Sequence, residues 1–530
     1  MKKYLQVFLS LLLCAVLMLS CGCTFNFFGS NDGNKDKDKD KEKNPSSSMQ
    51  DETDSSDDGL TDDDSFVDDS DDAIFDDSSD DKDDDKGTSS KKEYDKYSPV
   101  GSSGNIMPTV KDNGKNDEEE EEEEVFADDV KYPESVNADA LNKTDLFDKY
   151  DTALFTEKIW EGKTVYYETI CFEQDKNGFI STASLLYEPD QIIAVRSADM
   201  TVTYTEGKDF TVNGRVVTRP RASAIPYAPY KEFFAPYSSS NSYYLAADPN
   251  TSVIFRSDGR PMQKRIVTVF YTHKDGWRGS TMPESQEAEL SRTLQKLKNG
   301  EDVKIVFHGD SITAGFTTSG NKESARDNSS GNPLQMPCWG NVNFAPNVPA
   351  YPTIVKQALQ NKFPNATVTH VNTAAPGGSC GAHGINRINL VTEQNPDLVV
   401  IAFGMNDSWM DSGNNYGKYY YKNFYIQMMN KILEKNPDCE FIFVPCMLPN
   451  MDISSFLSND AAFDSHEQHL YEIQKEYPNN HIAVVPTTSL WRDLYALGKK
   501  PSDYTGSMDN HPNDWGHSIY AQLVLNAFGL

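Results

Sequence analysis

The residues of this chain that are suited to chemistry include Ser311, in the stretch GDSITAG that follows the apolar run VKIVF. A serine hydroxyl is a weak nucleophile unless a base removes its proton as it attacks. His511, in the stretch DNHPNDWGH near the C-terminus, is the natural base. A serine paired with a histidine predicts nucleophilic attack on an ester carbonyl, whereas a lone serine in this place would be only a turn hydroxyl.

Attack on an ester carbonyl places negative charge on its oxygen, and preorganised donors must stabilise that charge. Three groups are candidates: the backbone N–H of Ser311, a glycine N–H in NTAAPGG (Gly377 or Gly378), and the side-chain amide of Asn406 in GMND. Each of these motifs alone is common in inert loops. Their order along the chain, followed by His511, predicts one hydrolytic site.

The elements that must position these groups change in type at Pro283. The stretch PESQEAELSRTLQKLKNG predicts a helix with Pro283 at its start, Gly300 just past its end, and Leu290, Leu294 and Leu297 on one face. Apolar strand-like runs then alternate with helical stretches, which predicts a parallel sheet covered on both faces. The expected fold of residues 283–530 is a doubly wound α/β domain, with functional residues in loops at the carboxyl ends of its strands.

Together the four motifs resemble those of the SGNH, or GDSL, hydrolases, with GDSITAG, NTAAPGG, GMND and NHPNDWGH as successive blocks. The resemblance covers about residues 284–530 and implies a three-layer, flavodoxin-like α/β fold, no metal or other cofactor, and hydrolysis through an acyl-serine intermediate. The roles it implies are nucleophile for Ser311, base for His511, and oxyanion donor for Ser311, Asn406 and Gly377, with Gly378 as the second choice.

One position departs from the family pattern. The family usually has an aspartate three residues before the histidine, but Met508 stands there and Asp509 lies two residues before His511. Either Asp509 orients the imidazole, or a backbone carbonyl does so and the site is a Ser–His dyad. An orienting group fixes the tautomer and stabilises the imidazolium, so its absence lowers the rate without changing the reaction type.

Other residues near the motifs have expected roles of their own. His517 is the rival base, His308 is expected to pack at a strand end, and Asp310 is expected to cap the turn that holds Ser311. Three tryptophans also lie close to the motifs, and aromatic faces suit sugar rings, although core or rim packing is the alternative. They are Trp339, Trp409 and Trp515.

Residues 131–282 are rich in β-branched and aromatic residues in short runs separated by turn signals, which predicts an antiparallel β-sandwich. Within it, VNGRVV is a strong hairpin signal. The region resembles, less specifically, the jelly-roll module that precedes the catalytic domain of some carbohydrate esterases. The alternative is a packing module that shapes the active-site cleft and binds no sugar.

The N-terminal stretch MKKYLQVFLSLLLCAVLMLSCGCTF predicts a signal peptide over residues 1–20, since its apolar run is too short to span a membrane. The closing LSCGC resembles a bacterial lipobox and favours lipidation of Cys21 over Cys23. Residues 21–130 are expected to form a disordered acidic linker. Residues 31–130 carry 37 acidic and 12 basic side chains, a net charge of −25 out of −32 for the chain, which argues against nucleic acid as a partner.

A secretion signal, a lipid anchor, a charged linker, a β-sandwich and a small-ester hydrolase together indicate removal of O-acetyl groups from polysaccharide. The expected location is the extracellular face of a bacterial cell membrane, and the expected partners are an acetylated polysaccharide and the membrane. One alternative is a lipase or other acyl-ester hydrolase with the same catalytic groups. Another is a surface carbohydrate-binding protein that has lost activity, which only the displaced aspartate favours.

Overall fold

The computed structural model describes residues 150–238, 243–254, 260–320, 344–408 and 420–530. The predicted signal peptide (residues 1–20), the lipidation site Cys21 and the acidic linker (residues 21–130) lie outside the described residues. Trp339 and Trp409 lie outside them as well.

Antiparallel sheets are the main regular structure of the described chain before position 283, which we call the β-rich region. Its strands are β1 Thr164–Cys171, β2 Ala183–Ser184, β3 Pro189–Ser197, β4 Thr203–Tyr204, β5 Thr211–Asn213, β6 Val216–Thr218, β7 Phe234–Pro236, β8 Thr251–Val253 and β9 Ile266–His273. They form a four-stranded sheet in the order β1-β9-β3-β4, a three-stranded sheet β2-β6-β5 and the pair β7-β8. The jelly-roll-like sandwich and the domain boundaries stay predictions.

The hairpin predicted from VNGRVV is confirmed. Strands β5 and β6 pair antiparallel, with Asn213 opposite Val216, so that Gly214 and Arg215 form a two-residue turn. Gly214 has a φ of +57°, which glycine adopts without steric cost.

A five-stranded parallel sheet is the centre of the C-terminal part. Its strands are β10 Val303–Gly309, β11 Val368–Asn372, β12 Leu398–Ala402, β13 Glu440–Phe443 and β14 Ile482–Val484. Their order is β11-β10-β12-β13-β14, and each neighbouring pair is parallel. The doubly wound α/β prediction is therefore confirmed. After β10 the chain forms β11 on one side of β10 and then crosses to form β12 on the other side. The carboxyl ends of β10 and β12 therefore flank the crevice where such folds bind ligands.

Helices and helical turns connect these strands. In the β-rich region they are Thr152–Phe155, Tyr230–Phe233 and Arg260–Gln263. In the C-terminal part they are Ser291–Asn299, Tyr351–Lys362, Asn389–Thr392, Tyr420–Leu433, Ser454–Leu457, Asp460–Glu476, Thr487–Ala496, Pro501–Tyr504 and Asp514–Ala527, with a π-helical turn at Cys380–Ile385. Among the described residues, none of the helices combines the length and the apolar character needed to cross a membrane.

The predicted start of the first of these C-terminal helices is wrong. The helix begins at Ser291 rather than near Pro283, although Gly300 ends it with a φ of +76° as expected. The preceding residues are held by tertiary hydrogen bonds instead: the Gln286 N–H donates to Ala527 O at 3.0 Å, and its side-chain amide donates to Val484 O at 2.6 Å. Long-range bonds therefore override the local helical pattern.

Both faces of the parallel sheet are buried, in separate hydrophobic clusters. Ile305 and Phe307 of β10 belong to one cluster, and Val306 between them belongs to the other. The first cluster also contains Ile170 and Phe270 of the β-rich region. The β-rich region and one face of the parallel sheet therefore share a continuous apolar core.

Candidate active site

Ser311 lies in a tight turn directly after β10. A side chain at Gly309 would clash with the carbonyl oxygen of Ala402 on the neighbouring strand β12 and with Thr313, so the turn requires glycine there. Asp310 braces the turn as predicted, because its carboxylate accepts the Ile312 N–H at 2.9 Å. Burial raises the pKa of Asp310 to about 6, against the opposing effect of backbone donors and of His511. The nucleophile candidate thus projects from a rigid, almost fully buried turn.

His511 lies beside this turn. Its Nε2 is 2.8 Å from Ser311 Oγ, so the serine hydroxyl can donate a hydrogen bond to the neutral imidazole. The two side chains come from positions 200 residues apart, and Ser311 and His511 are only 5% and 7% exposed. The Phe316 ring packs on the imidazole with a centroid separation of 4.8 Å. The structure therefore brings together the two groups that the sequence predicts as nucleophile and base.

Residues 505–513, which we call the His511 loop, fold back on themselves. Thr505 and Pro512 form an antiparallel bridge, and the Gly506 N–H donates to His511 O at 3.0 Å. The Thr317 hydroxyl donates to Pro512 O at 2.8 Å, which ties the loop to the segment that follows Ser311.

Asp509 is buried next to the imidazole. Its Oδ1 lies 3.5 Å from His511 Nδ1, and the same oxygen accepts the Ser507 hydroxyl and the Asn510 N–H. Met508, at the position where the family usually has the aspartate, is buried in the core with a φ of +63°. The left-handed backbone conformation of Met508 turns the chain, and the side chain of the next residue, Asp509, lies beside the histidine.

The candidate oxyanion donors are joined to one another. The Asn406 side-chain amide donates to Gly378 O at 2.9 Å, which brings the third motif against the second. The Gly378 N–H donates to Ala375 O at 3.0 Å within a turn, while Gly377, with a φ of +70°, donates no backbone hydrogen bond within the described part of the chain. This arrangement favours Gly377 over Gly378 as the backbone donor.

Further hydrogen bonds hold the three motifs at the sheet edge. The Ala375 N–H donates to Gly309 O at 3.0 Å, and the Cys380 N–H donates to the Asp407 carboxylate at 2.9 Å. The Asn372 amide donates to Thr313 O at 2.8 Å, beside the serine turn. These residues connect the first, second and third motifs through both backbone and side chains.

The rival residues have partners other than Ser311. His308 is fully buried between the Thr373 hydroxyl (2.8 Å) and Gly384 O (3.0 Å), as expected of a packing residue, and burial lowers its pKa to about 3. His517 is also fully buried, lies near Phe316 O at 3.4 Å, and has its pKa lowered to about 3 by burial. Trp515 is fully buried, with the Lys499 ammonium 5.0 Å from its ring centroid, so packing is its role.

Two contacts at the His511 loop come from residues that the sequence analysis did not single out. Thr169 and Gln263 of the β-rich region bond to Asn513 and Asp514, at the end of the loop. No motif contains these residues, because each lies in an ordinary strand or helical turn more than 240 positions earlier in the chain. Only the folded structure places them at the site.

The fold and the site together define the class of protein. A parallel α/β sheet carries, at its switch point, a serine hydrogen-bonded to a histidine, and this pair is suited to hydrolysis of an ester bond. Residues 307–519 match the model of the GDSL-like Lipase/Acylhydrolase family. This part of the chain therefore matches a GDSL-like lipase/acylhydrolase domain, the class that the fold and the site indicate.

Solved structures provide a second comparison. A two-domain esterase active on acetylated mannans, co-crystallised with mannopentaose, has 20% sequence identity over 47% of this chain and 54% of its own, with a TM-score of 0.34. An acetylxylan esterase from Geobacillus stearothermophilus has 21% identity over 43% of this chain and 94% of its own, with a TM-score of 0.30. The match thus spans about half the length of the mannan esterase. A comparison with curated protein sequences gives no match.

Proposed function

We propose that the protein removes O-acetyl groups from polysaccharide outside a bacterial cell, with Ser311 as the nucleophile and His511 as its base. The 2.8 Å separation between Ser311 Oγ and His511 Nε2 supports this assignment most directly. A base must lie within hydrogen-bond reach of the proton that it removes, and this pair meets that requirement.

In the proposed acylation step, Ser311 Oγ bonds to the ester carbonyl carbon while its proton moves to His511 Nε2. The tetrahedral intermediate then collapses: the bond to the sugar oxygen breaks, and His511 returns the proton to that oxygen. In deacylation the oxygen of a water molecule bonds to the acyl carbon while His511 accepts one proton of the water. The bond from that carbon to Ser311 Oγ then breaks, His511 returns the proton to Ser311 Oγ, and acetic acid leaves.

The carbonyl oxygen carries negative charge in both tetrahedral intermediates. We assign its stabilisation to the backbone N–H groups of Ser311 and Gly377 and to the Asn406 side-chain amide. One amide hydrogen of Asn406 bonds to Gly378 O, which fixes the orientation of the group and leaves the second hydrogen for the substrate. Donors held before substrate arrives cost no reorganisation during the reaction.

The test of this mechanism compares the full chain with its Ser311→Ala variant on acetylated xylan and on 4-nitrophenyl acetate. We expect the variant to lose at least about 10³-fold in acetate release, since nucleophile and base act as a unit. Ser458→Ala, at an exposed serine, is the matched control and should keep full activity. Undiminished activity of Ser311→Ala would contradict the assignment.

The choice of substrate separates the proposed function from its alternatives. Release of acetate from acetylated xylan supports the hypothesis that the substrate is an acetylated polysaccharide. A preference for octanoyl over acetyl esters would instead identify a lipase-like acylhydrolase. Binding of xylan by an intact chain that cleaves neither ester would identify a surface binding protein.

We further propose that Cys21 carries a lipid that anchors the protein at the extracellular face of the membrane. The support is the signal-like N-terminus and the LSCGC stretch, which resembles a lipobox. The Cys21→Ala variant should no longer incorporate labelled fatty acid and should move from the membrane to the soluble fraction of the expressing bacterium. Cys23→Ala is the matched control, and loss of the label in that variant alone would place the lipid on Cys23.

A further inference from the structure

The last residues of the His511 loop are bound by strand β1 of the β-rich region. The Asn513 amide donates to the Thr169 hydroxyl oxygen at 3.2 Å and to Asp503 O at 2.9 Å. The Thr169 hydroxyl in turn donates to the same Asp503 carbonyl. Asp503 precedes the loop and Asn513 ends it, so one threonine of β1 bonds to residues at both ends of the loop, and these three side chains are buried.

A second bond joins the β-rich region to the helix that follows the loop. The Gln263 amide donates to Asp514 Oδ2 at 3.1 Å, and Asp514 Oδ1 accepts the Ser319 N–H at 2.8 Å. Ser319 belongs to the segment that continues from the Ser311 turn. Gln263 therefore reaches a carboxylate that is shared between the histidine side and the serine side of the site.

A buried ion pair reinforces the same junction. Lys499 Nζ lies 2.7 Å from Glu168 Oε1 of β1 and 3.6 Å from Asp503 Oδ2, and the Lys499 and Glu168 side chains are fully buried. The Tyr271 hydroxyl donates to the other Glu168 oxygen at 2.6 Å. Buried, paired and hydrogen-bonded charges tolerate little displacement, because moving one partner leaves the other uncompensated. The ion pair thus fixes Lys499 and Asp503, which precede the loop, against strand β1.

From these contacts we infer that the β-rich region is a positioning element for the catalytic base, and that Thr169 and Gln263 are positioning residues acting on His511 through Asn513 and Asp514. The inference rests on the proposed role of His511. It assigns the β-rich region a part in catalysis that requires no sugar to bind there. A base displaced by a fraction of an ångström from its hydrogen-bond partner loses rate while the substrate pocket stays intact.

The test uses Thr169→Val and Gln263→Leu in the full chain, assayed on 4-nitrophenyl acetate. Thr169→Val keeps the shape of the side chain and removes its hydroxyl, and Gln263→Leu removes an amide. We expect kcat to fall about tenfold in each variant with KM within about twofold, and Thr169→Ser to restore kcat. The control is Thr268→Val, the same change at the buried cross-strand partner of Thr169. It should keep its kcat.

A double-mutant cycle separates positioning from general destabilisation. If Thr169 acts through His511, adding Thr169→Val to His511→Ala should cause no further loss of kcat. Multiplied losses would overturn the inference, as would a Thr169→Val variant that loses thermal stability but keeps its kcat. Failure of the underlying mechanism gives a different result, namely full activity of His511→Ala itself.

Discussion

The turn that carries Ser311 is held by its immediate neighbours and by the adjacent strand. The His511 loop is held by residues of the C-terminal part such as Thr317 and, in addition, by residues of the β-rich region. Around Ser311, the contacts are those of Gly309 with β12 and of Asp310 with the Ile312 N–H. At the end of the His511 loop, Thr169 and Gln263 bond to Asn513 and Asp514. The position of the nucleophile is therefore a property of the parallel sheet, and that of the base depends in addition on how the two regions pack together.

This difference has an energetic consequence. The serine turn contributes few buried charges besides Asp310, while the support of the His511 loop contains a buried lysine paired with carboxylates. A substitution that breaks this buried ion pair should therefore disturb the base and leave the nucleophile in place.

The largest expected effect comes from Glu168→Leu, which leaves Lys499 buried without its 2.7 Å partner. Breaking a buried ion pair from one side typically lowers the free energy of unfolding by about 3–5 kcal/mol. Urea denaturation measures that loss. Native-state hydrogen exchange should show lower protection of the Gly506 N–H, which bonds to His511 O, and unchanged protection of the Ala314 N–H, which bonds to Asp310 O.

Two controls sharpen this prediction. Lys296→Met breaks a partly exposed pair with Asp397 and should cost less than about 1 kcal/mol. The double variant Glu168→Leu/Lys499→Met removes both charges and should recover part of the stability. Equal loss of protection at Gly506 and Ala314 in Glu168→Leu would show that the two sides of the site are not supported separately.

The next effect is a dependence of stability on pH that both sides of the site share. Burial raises the pKa of Asp310, on the serine side, and of Asp514, on the histidine side, to about 6. In the unfolded chain an aspartate has a pKa of about 3.9. Between about pH 4 and pH 6 the unfolded chain thus releases protons that the folded chain keeps, so stability falls as the pH rises, by about 2–3 kcal/mol per group.

The free energy of unfolding, measured by urea denaturation at pH 4 and pH 7, tests this pH dependence for the serine side and for the histidine side. Asp310→Asn and Asp514→Asn remove one titrating group each, so each variant should lose less stability than the parent between the two pH values. A variant that loses as much as the parent would show that its carboxyl is already ionised at pH 4.

Much of the site could be predicted from sequence because each motif directly follows an apolar strand run. Ser311 and Asn406 come after β10 and β12, and the carboxyl ends of parallel strands meet at one sheet edge. The bonds from Thr169 and Gln263 could not be predicted, since nothing local marks a threonine in a strand as the partner of Asn513. The predicted helix start at Pro283 is wrong for a similar reason, because long-range hydrogen bonds of Gln286 replace helical ones there.

The smallest effect that we expect is the loss of kcat on replacing Asp509, the aspartate that lies two residues before His511 rather than three. Asp509 Oδ1 lies 3.5 Å from His511 Nδ1, longer than the 2.7–2.9 Å of a strong charge-assisted hydrogen bond. The same oxygen also accepts the Ser507 hydroxyl and the Asn510 N–H, which share its charge. Asp509 should therefore stabilise the imidazolium less than a well-aligned triad aspartate, whose replacement by asparagine costs about 10⁴-fold in kcat.

We expect Asp509→Asn to lower kcat on 4-nitrophenyl acetate by about tenfold, measured against Asp209→Asn. Asp209 is a buried aspartate of the β-rich region that also accepts a backbone N–H, from Thr205 at 2.9 Å, and its replacement should leave kcat unchanged. A loss near 10⁴-fold would mean that Asp509 closes onto His511 during the reaction and completes a triad. An unchanged kcat would mean that the imidazole needs no carboxylate, as in the Ser–His dyad that is the alternative to a triad.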